Sequence, residues 1–299
     1  VIAQGVDPTT LDMMNQSEQP ASNVGALMFD MLVARDQSLA LLPELATELP
    51  KLVAPTTWEV KLRKGVKFHN GEDFNAESVK FSLERVKSGM RSSSNFRPID
   101  RVDIVDPYTV RVQTTKPWPT FTTVMGFRQA SMYPPKAYAG KDTAFISKNP
   151  IGTGPYKFVK WDKDEQIVLE ANEQYWRGAP KIKTVVFRPI PDDAVRVAAL
   201  QNGEVDVAVN IPPHLANIIA NHPKLFLSTA PSIRTLQLMI VTHDSDKDHK
   251  LIGVTKSPVA AKRVRQAMLY AVDADDIIKN VLDGKAFRVA TLLTPLHFG

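Results

Sequence analysis

Residues 149–158 read Asn-Pro-Ile-Gly-Thr-Gly-Pro-Tyr-Lys-Phe, and the reading of their central Gly-Thr-Gly-Pro decides the fold class. A glycine loop that cradles a phosphate needs successive free N–H groups and a helix whose N-terminus faces the anion. Pro155 removes one of those groups. Tyr156-Lys157-Phe158-Val159-Lys160-Trp161 then alternates ring or aliphatic residues with lysine, which is a strand pattern. No Gly-Lys-Ser/Thr follows, nor a later glycine at dinucleotide-fold spacing. The stretch reads as a turn that enters a β-hairpin.

With 299 residues, 43% of them hydrophobic and 23% charged, the chain has the composition of a globular protein with ample core, and its length suggests about two domains. No apolar run approaches the roughly 18 residues that span a bilayer. The formal net charge is +5. The cations are interleaved with acids, as in Lys163-Asp164-Glu165 and Asp246-Lys247-Asp248, whereas a nucleic-acid binder concentrates them in a stripe. Cysteine is absent, which excludes thiol nucleophiles, disulfides and Cys-based zinc sites. That fits the bacterial cell envelope and the cytosol equally. Val1-Ile2-Ala3-Gln4 already reads as a strand, so any signal peptide is expected to lie outside these residues.

Working outward, helical spacing of Val24, Leu27, Met28, Met31 and Leu32 predicts a helix over Pro20–Leu32. The region from Leu39 is richer in short β pieces: Trp58, Val60 and Leu62 alternate with charges, and Asn70-Gly71 marks a turn. Asn75 caps an expected helix from Ala76 to about Lys87, with Val79, Leu83 and Val86 inward. Val102–Gln113 reads as a hairpin, followed by a short helix to about Met125. Tyr156–Trp161 and Gln166–Glu170 form a second hairpin, and Thr184–Phe187 a strand. Asp192 or Asp193 caps a helix that Gly203 ends, and Val205–Val209 follows as a buried strand. This β-α-β order belongs to an α/β layer. Further strands and helices are expected at Leu236–Val241, Lys262–Val272 and Asp273–Leu282.

Catalytic constellations are missing from the pattern. There is no Gly-x-Ser-x-Gly elbow and no His-Glu-x-x-His, and the six histidines are scattered. Asp244, Asp246 and Asp248 match the first positions of a calcium loop. His249 and Thr255 then stand where glycine and glutamate belong, so a solvated polar loop is the better account.

Several stretches together resemble one family. They are Leu62–Gly71, Asn75–Arg85, Asn149–Tyr156, Tyr175-Trp176, Leu200–Asp206, and Arg263–Met268 with Tyr270–Asp273. In this order and spacing the chain resembles the family 5 extracellular solute-binding proteins, which include the dipeptide, oligopeptide and nickel receptors of ABC importers. The resemblance covers practically the whole chain. It implies a two-lobed α/β fold of the periplasmic binding protein type II kind, with a hairpin-rich extra subdomain in lobe I. Residues 1–38 and 149–230 are then the main part of lobe I, 39–148 the hairpin-rich subdomain, and 231–299 the beginning of an incomplete lobe II. The Gly-Thr-Gly-Pro turn is expected where the chain re-enters the main sheet of lobe I.

The resemblance also implies a receptor rather than an enzyme, without cofactor or metal of its own, that encloses a solute between lobes and presents it to a membrane permease. A short peptide or peptide-like compound is the leading cargo. A nickel chelate, oligosaccharide or opine-type compound is the alternative within the fold, and a hydrolase of peptides or glycosides the alternative outside it. The expected lobe I wall comprises Gln16, Ser17, Glu18 and Gln19, then Arg128, Gln129 and Ser131, with Arg234 and Gln237 near the crossing between lobes. The expected compartment is periplasmic, or extracellular and membrane-anchored in a Gram-positive source. As a fragment, the chain is expected to expose apolar faces of Val264, Ala267, Met268, Ile277, Ile278 and Val281, to self-associate, and to bind ligand about a hundredfold more weakly than a complete chain. Two departures from relatives, Thr242 and Ser257-Pro258-Val259, bear on local pairing only.

Overall fold

A computed structural model of the chain describes residues 1–88, 93–229, 235–236 and 262–289. The chain divides into two compact units, Val1–Asn210 and Ile211–Gly299.

The first unit opens on β1 (Ile2–Gln4) and α1 (Gln19–Met28), with Pro20 in the first helical turn. A ribbon of β2 (Val33–Arg35) and β3 (Leu41–Pro43) follows. Next come β4 (Lys51–Ala54) and β5 (Thr57–Lys61), then α2 (Ala76–Lys87), then β6 (Ile99–Asp106) and β7 (Thr109–Thr114). These four strands make an antiparallel sheet in the order β4-β5-β7-β6, on which α2 packs. Its N-terminus carries the expected cap. The Asn75 carboxamide accepts from Glu77 N and Ser78 N, and Ser78 Oγ accepts from Asn75 N, a reciprocal box worth about 1 kcal/mol. Val79, Leu83 and Val86 are fully buried on the inner face.

Three short helices, α3 (Phe121–Val124), α4 (Pro135–Tyr138) and α5 (Thr143–Lys148), lead to a second sheet. Its strands are β8 (Tyr156–Asp162), β9 (Gln166–Ala171) and β10 (Thr184–Pro189), then, after α6 (Asp193–Gln201), β11 (Val207–Ala208). The order is β11-β1-β10-β9-β8, with β1 parallel to both β10 and β11 and the rest antiparallel. The Asp192 carboxylate caps α6, and Gly203 (φ +74°) ends it in the left-handed region.

Two elements stop short of their sequence pattern. The helix over Pro20–Leu32 ends at Met28, because tertiary partners take the groups that would continue it. Gly154 N donates to the Met28 carbonyl (3.0 Å), and Met31 N donates to the Glu44 carboxylate (2.8 Å). The strand at Val205–Val209 shrinks to two residues at the sheet edge, with Val205 buried but Val207 46% exposed. There Arg196, itself buried, draws the Val209 and Asn210 carbonyls to its guanidinium at 3.2 and 3.0 Å.

In the second unit α7 (Pro213–Ala220) is followed, further on, by helices Lys262–Tyr270 and Ala274–Asn280. Asp273 caps the last, as its sequence indicates. Val264, Ile277 and Val281 are all exposed there. The strand expected at Leu236–Val241, the polar loop at 243–249 and the site residues Arg234 and Gln237 lie outside the described residues, save Leu236 itself.

Candidate functional site

The Gly-Thr-Gly-Pro turn is a packing seam. A Cβ on Gly152 would stand 2.0 Å from the Met28 carbonyl oxygen, and one on Gly154 would stand 2.5 Å from the Met28 carbonyl carbon. Both positions therefore need glycine for close approach to the end of α1. His69 clamps the turn from the other side: Gly152 N donates to Nδ1 (3.3 Å), so Nε2 carries the proton and donates to the Gly154 carbonyl (3.0 Å). Burial holds this imidazole down at a pKa of about 4, neutral at physiological pH. The Gly152 and Gly154 N–H groups are both committed, which leaves no phosphate nest.

Thr153 extends the seam into a buried polar knot. Its hydroxyl donates to Asp30 Oδ2 (2.9 Å), which also accepts from Trp176 Nε1 (2.9 Å), while Oδ1 accepts from the Tyr175 hydroxyl (3.1 Å). The guanidiniums of Arg63 and Arg177 sit over the Trp176 ring at 4.9 and 4.4 Å. Beside Asp30 lies Glu44, whose carboxyl is pushed up to about 7, first by burial and then by the Asp30 charge. A similar arrangement holds Asp12, fully buried, against the Tyr133 hydroxyl (2.7 Å) and Arg85 (3.5 Å), and burial raises its pKa.

The expected wall residues divide around these knots. The two segments meet, since Gln129 Nε2 donates to the Gln16 carbonyl (3.0 Å). Gln16 itself is buried, its Oε1 accepting from Glu18 N (2.9 Å). Ser131 is buried and returns its hydroxyl to the Arg128 carbonyl (2.6 Å). Arg128 donates to the Phe29 carbonyl (2.8 Å); burial lowers its pKa, against the opposing pull of Glu44 and Asp30. Glu18 is half-buried and accepts from Thr9 N (2.6 Å) and Thr9 Oγ1 (2.9 Å). Ser17 and Gln19 are exposed, and Gln19 reaches Asn23 (2.8 Å), which in turn reaches Gln4 (3.4 Å) at the end of β1. Ser17, Gln19 and half-exposed Gln129 thus form the accessible polar strip. Among the described residues no group of three or more His, Cys, Asp or Glu is placed to hold a metal, and no helix is long and apolar enough to cross a membrane.

Sequence reasoning missed the Asp30 and Asp12 knots. The available signal was an acid set in an apolar run, Leu27-Met28-Phe29-Asp30-Met31-Leu32 and Leu11-Asp12-Met13-Met14, since a carboxylate so placed must find buried donors.

Known proteins share this architecture. The family profile described as bacterial extracellular solute-binding proteins, family 5 Middle, matches residues 40–299. This chain belongs to that family. A family 5 relative, the glutathione-binding protein GsiB of Pectobacterium atrosepticum, is 33% identical over 294 residues, 96% of this chain and 54% of the relative. GsiB of Escherichia coli K12 is 28% identical over 99% of this chain and 56% of its own length. Among solved structures, NikZ of Campylobacter jejuni in complex with Ni(L-His) superposes with a TM-score of 0.83 at 30% identity, covering 96% of this chain and 55% of NikZ. DppA of Helicobacter pylori in complex with the peptide STSA gives 0.81 at 25% identity, covering 98% and 60%. The mixed α/β fold is that of the type II periplasmic binding proteins. The chain spans about half the length of the curated relatives it matches.

Proposed function

We propose that this chain carries most of the first lobe, and the beginning of the second, of the substrate-binding receptor of an ABC importer. Residues 1–38 and 149–230 form the main part of lobe I in this reading, 39–148 its hairpin-rich subdomain, and 231–299 the start of lobe II. The cargo is a short peptide or peptide-like solute, delivered unchanged to a membrane permease from the periplasm, or from an anchored position outside the cell. The carrying observation is the 33% identity, over 96% of this chain, to a protein named for binding glutathione, itself a peptide. Ser17, Glu18, Gln19 and Gln129 supply hydrogen bonds to the solute. Gln16, Arg128 and Ser131 hold the strip in shape, and Arg234 and Gln237 contribute near the crossing. A nickel chelate is the second reading, favoured by the 30% identity to NikZ.

The test is calorimetry of the purified protein with glutathione, a dipeptide and Ni(L-His), together with mass spectrometry of each solute after incubation. Saturable binding of glutathione or dipeptide, recovered intact, is expected. Turnover above a buffer control overturns the receptor reading, and binding of the nickel chelate alone overturns the peptide cargo.

A further inference from the structure

We infer that the groove between α5, β8 and the loop after β1 is a second binding site, built for a small organic anion with a flat apolar body. The groove has a volume of about 750 Å³, within the range of small-molecule sites. None of the described wall residues at 16–19 and 128–131 lines it, so it does not depend on the receptor reading.

Its construction begins in the strand. The β8–β9 register shifts between Phe158 and Lys160, and this bulge breaks the two-residue alternation. Phe158 and Trp161, opposite Leu169 and Ile167, therefore share one face, where strict alternation would turn them to opposite sides, and Lys160 lines the groove beside them. The two rings give it an apolar floor, and both are half-buried. Lys148, Lys160 and Lys163 line it as well, with the hydroxyl side chains of Thr10, Thr143 and Ser147, and no carboxylate is among its lining residues.

Two of these groups are fixed in advance by one buried acid. Asp7 Oδ2, on a side chain only 3% exposed, accepts from Trp161 Nε1 (2.9 Å), Lys163 Nζ (3.0 Å) and Asp164 N (2.9 Å). Lys163 also donates to the Pro8 carbonyl (2.8 Å) and stands 5.0 Å from the Trp161 ring centre. An indole and an ammonium are thus preorganised side by side, which spares a ligand the cost of ordering them. Lys160 pairs with Asp162, whereas exposed Lys148, at the end of α5, has no acidic partner among the described residues. A planar ring lying on Phe158 and Trp161, with its anionic group toward Lys148 and Lys163, satisfies both surfaces at once.

The test uses 2-naphthoate as probe and 2-naphthamide as its uncharged counterpart, by calorimetry on the full chain. Saturable 1:1 binding of the naphthoate is expected, with the amide weaker by about tenfold or more, and added salt should weaken the naphthoate alone. Lys148→Ala should weaken naphthoate about threefold or more without moving the melting temperature, and Lys148→Arg should restore it. Trp161→Leu should weaken both probes. Equal affinity for acid and amide overturns the proposal, as does failure to bind, or an affinity unchanged in both Lys148→Ala and Lys160→Ala.

Discussion

The seam at 149–155 and the strip at 16–19 are both short polar loops, and their composition gives little ground for telling them apart. What separates them is where their hydrogen-bonding groups go. In the seam, Gly152, Thr153 and Gly154 are buried and each bonds to a distant partner, His69, Asp30 and Met28. In the strip, Gln16 is drawn inward while Ser17 and Gln19 stay in water. A loop rich in glycine and threonine is thus structural when its partners are internal, and a candidate for binding when they are not.

The largest expected effect breaks the seam. Gly152→Ala places a methyl 2.0 Å from the Met28 carbonyl oxygen, where backbone must move, and should cost about 4 kcal/mol or more of stability in urea unfolding. A loss below about 1 kcal/mol would mean that the end of α1 yields easily.

Acid should attack the same seam next. The folded His69 has a pKa of about 4 against an ordinary 6.5, so below pH 6.5 the unfolded chain takes up a proton that the folded chain refuses. Stability is full above pH 6.5 and falls toward pH 4, by about 3 kcal/mol from this group. Comparing urea midpoints of the wild type and His69→Gln across that window isolates the histidine from the carboxylates, and parallel curves would discard the clamp.

Glu44 sits between the two loops, near Asp30 on the seam side and Arg128 on the strip side. Its folded pKa of about 7 exceeds the ordinary 4.5, so stability is lost as pH rises through that interval. Glu44→Gln removes this loss. It should stabilise the protein by about 2 kcal/mol more at pH 8 than at pH 5, less than the full shift because part of the loss has already occurred at pH 5. Thermal melts at the two pH values check the sign.

The smallest stability effect belongs to the strip. Gln19→Ala should move stability by no more than about 0.5 kcal/mol, yet weaken solute binding about fivefold if the strip forms a wall. Unaltered affinity in Ser17→Ala and Gln19→Ala together would remove 16–19 from the site.

The sequence exposed those features whose causes are local. Asn75 with Ser78, Asp192 before α6 and the alternation of 156–161 name their own elements, because capping and pleat act within a few residues. The end of α1 was hidden, since Met28 is claimed by Gly154 and Met31 by Glu44, neither of them helical neighbours. Short α4 and α5 carry too few residues to show a period. For the strip, the sequence offered the segments, and only folding could pair Gln129 with Gln16 and turn Gln16 and Ser131 inward.

The placing of β1 between β10 and β11 also sets an order of assembly. Ile2 pairs with Phe187 on one side and Val207 on the other, so the first strand waits for nearly the whole unit before it gains a neighbour. The β4–β7 sheet, closed by the hairpins at 51–61 and 99–114, needs no such delay. Low contact order favours it as the early nucleus, with the N-terminal strand added last. Pulse-labelled hydrogen exchange during refolding should therefore protect Val110 and Val112 well before Ala3.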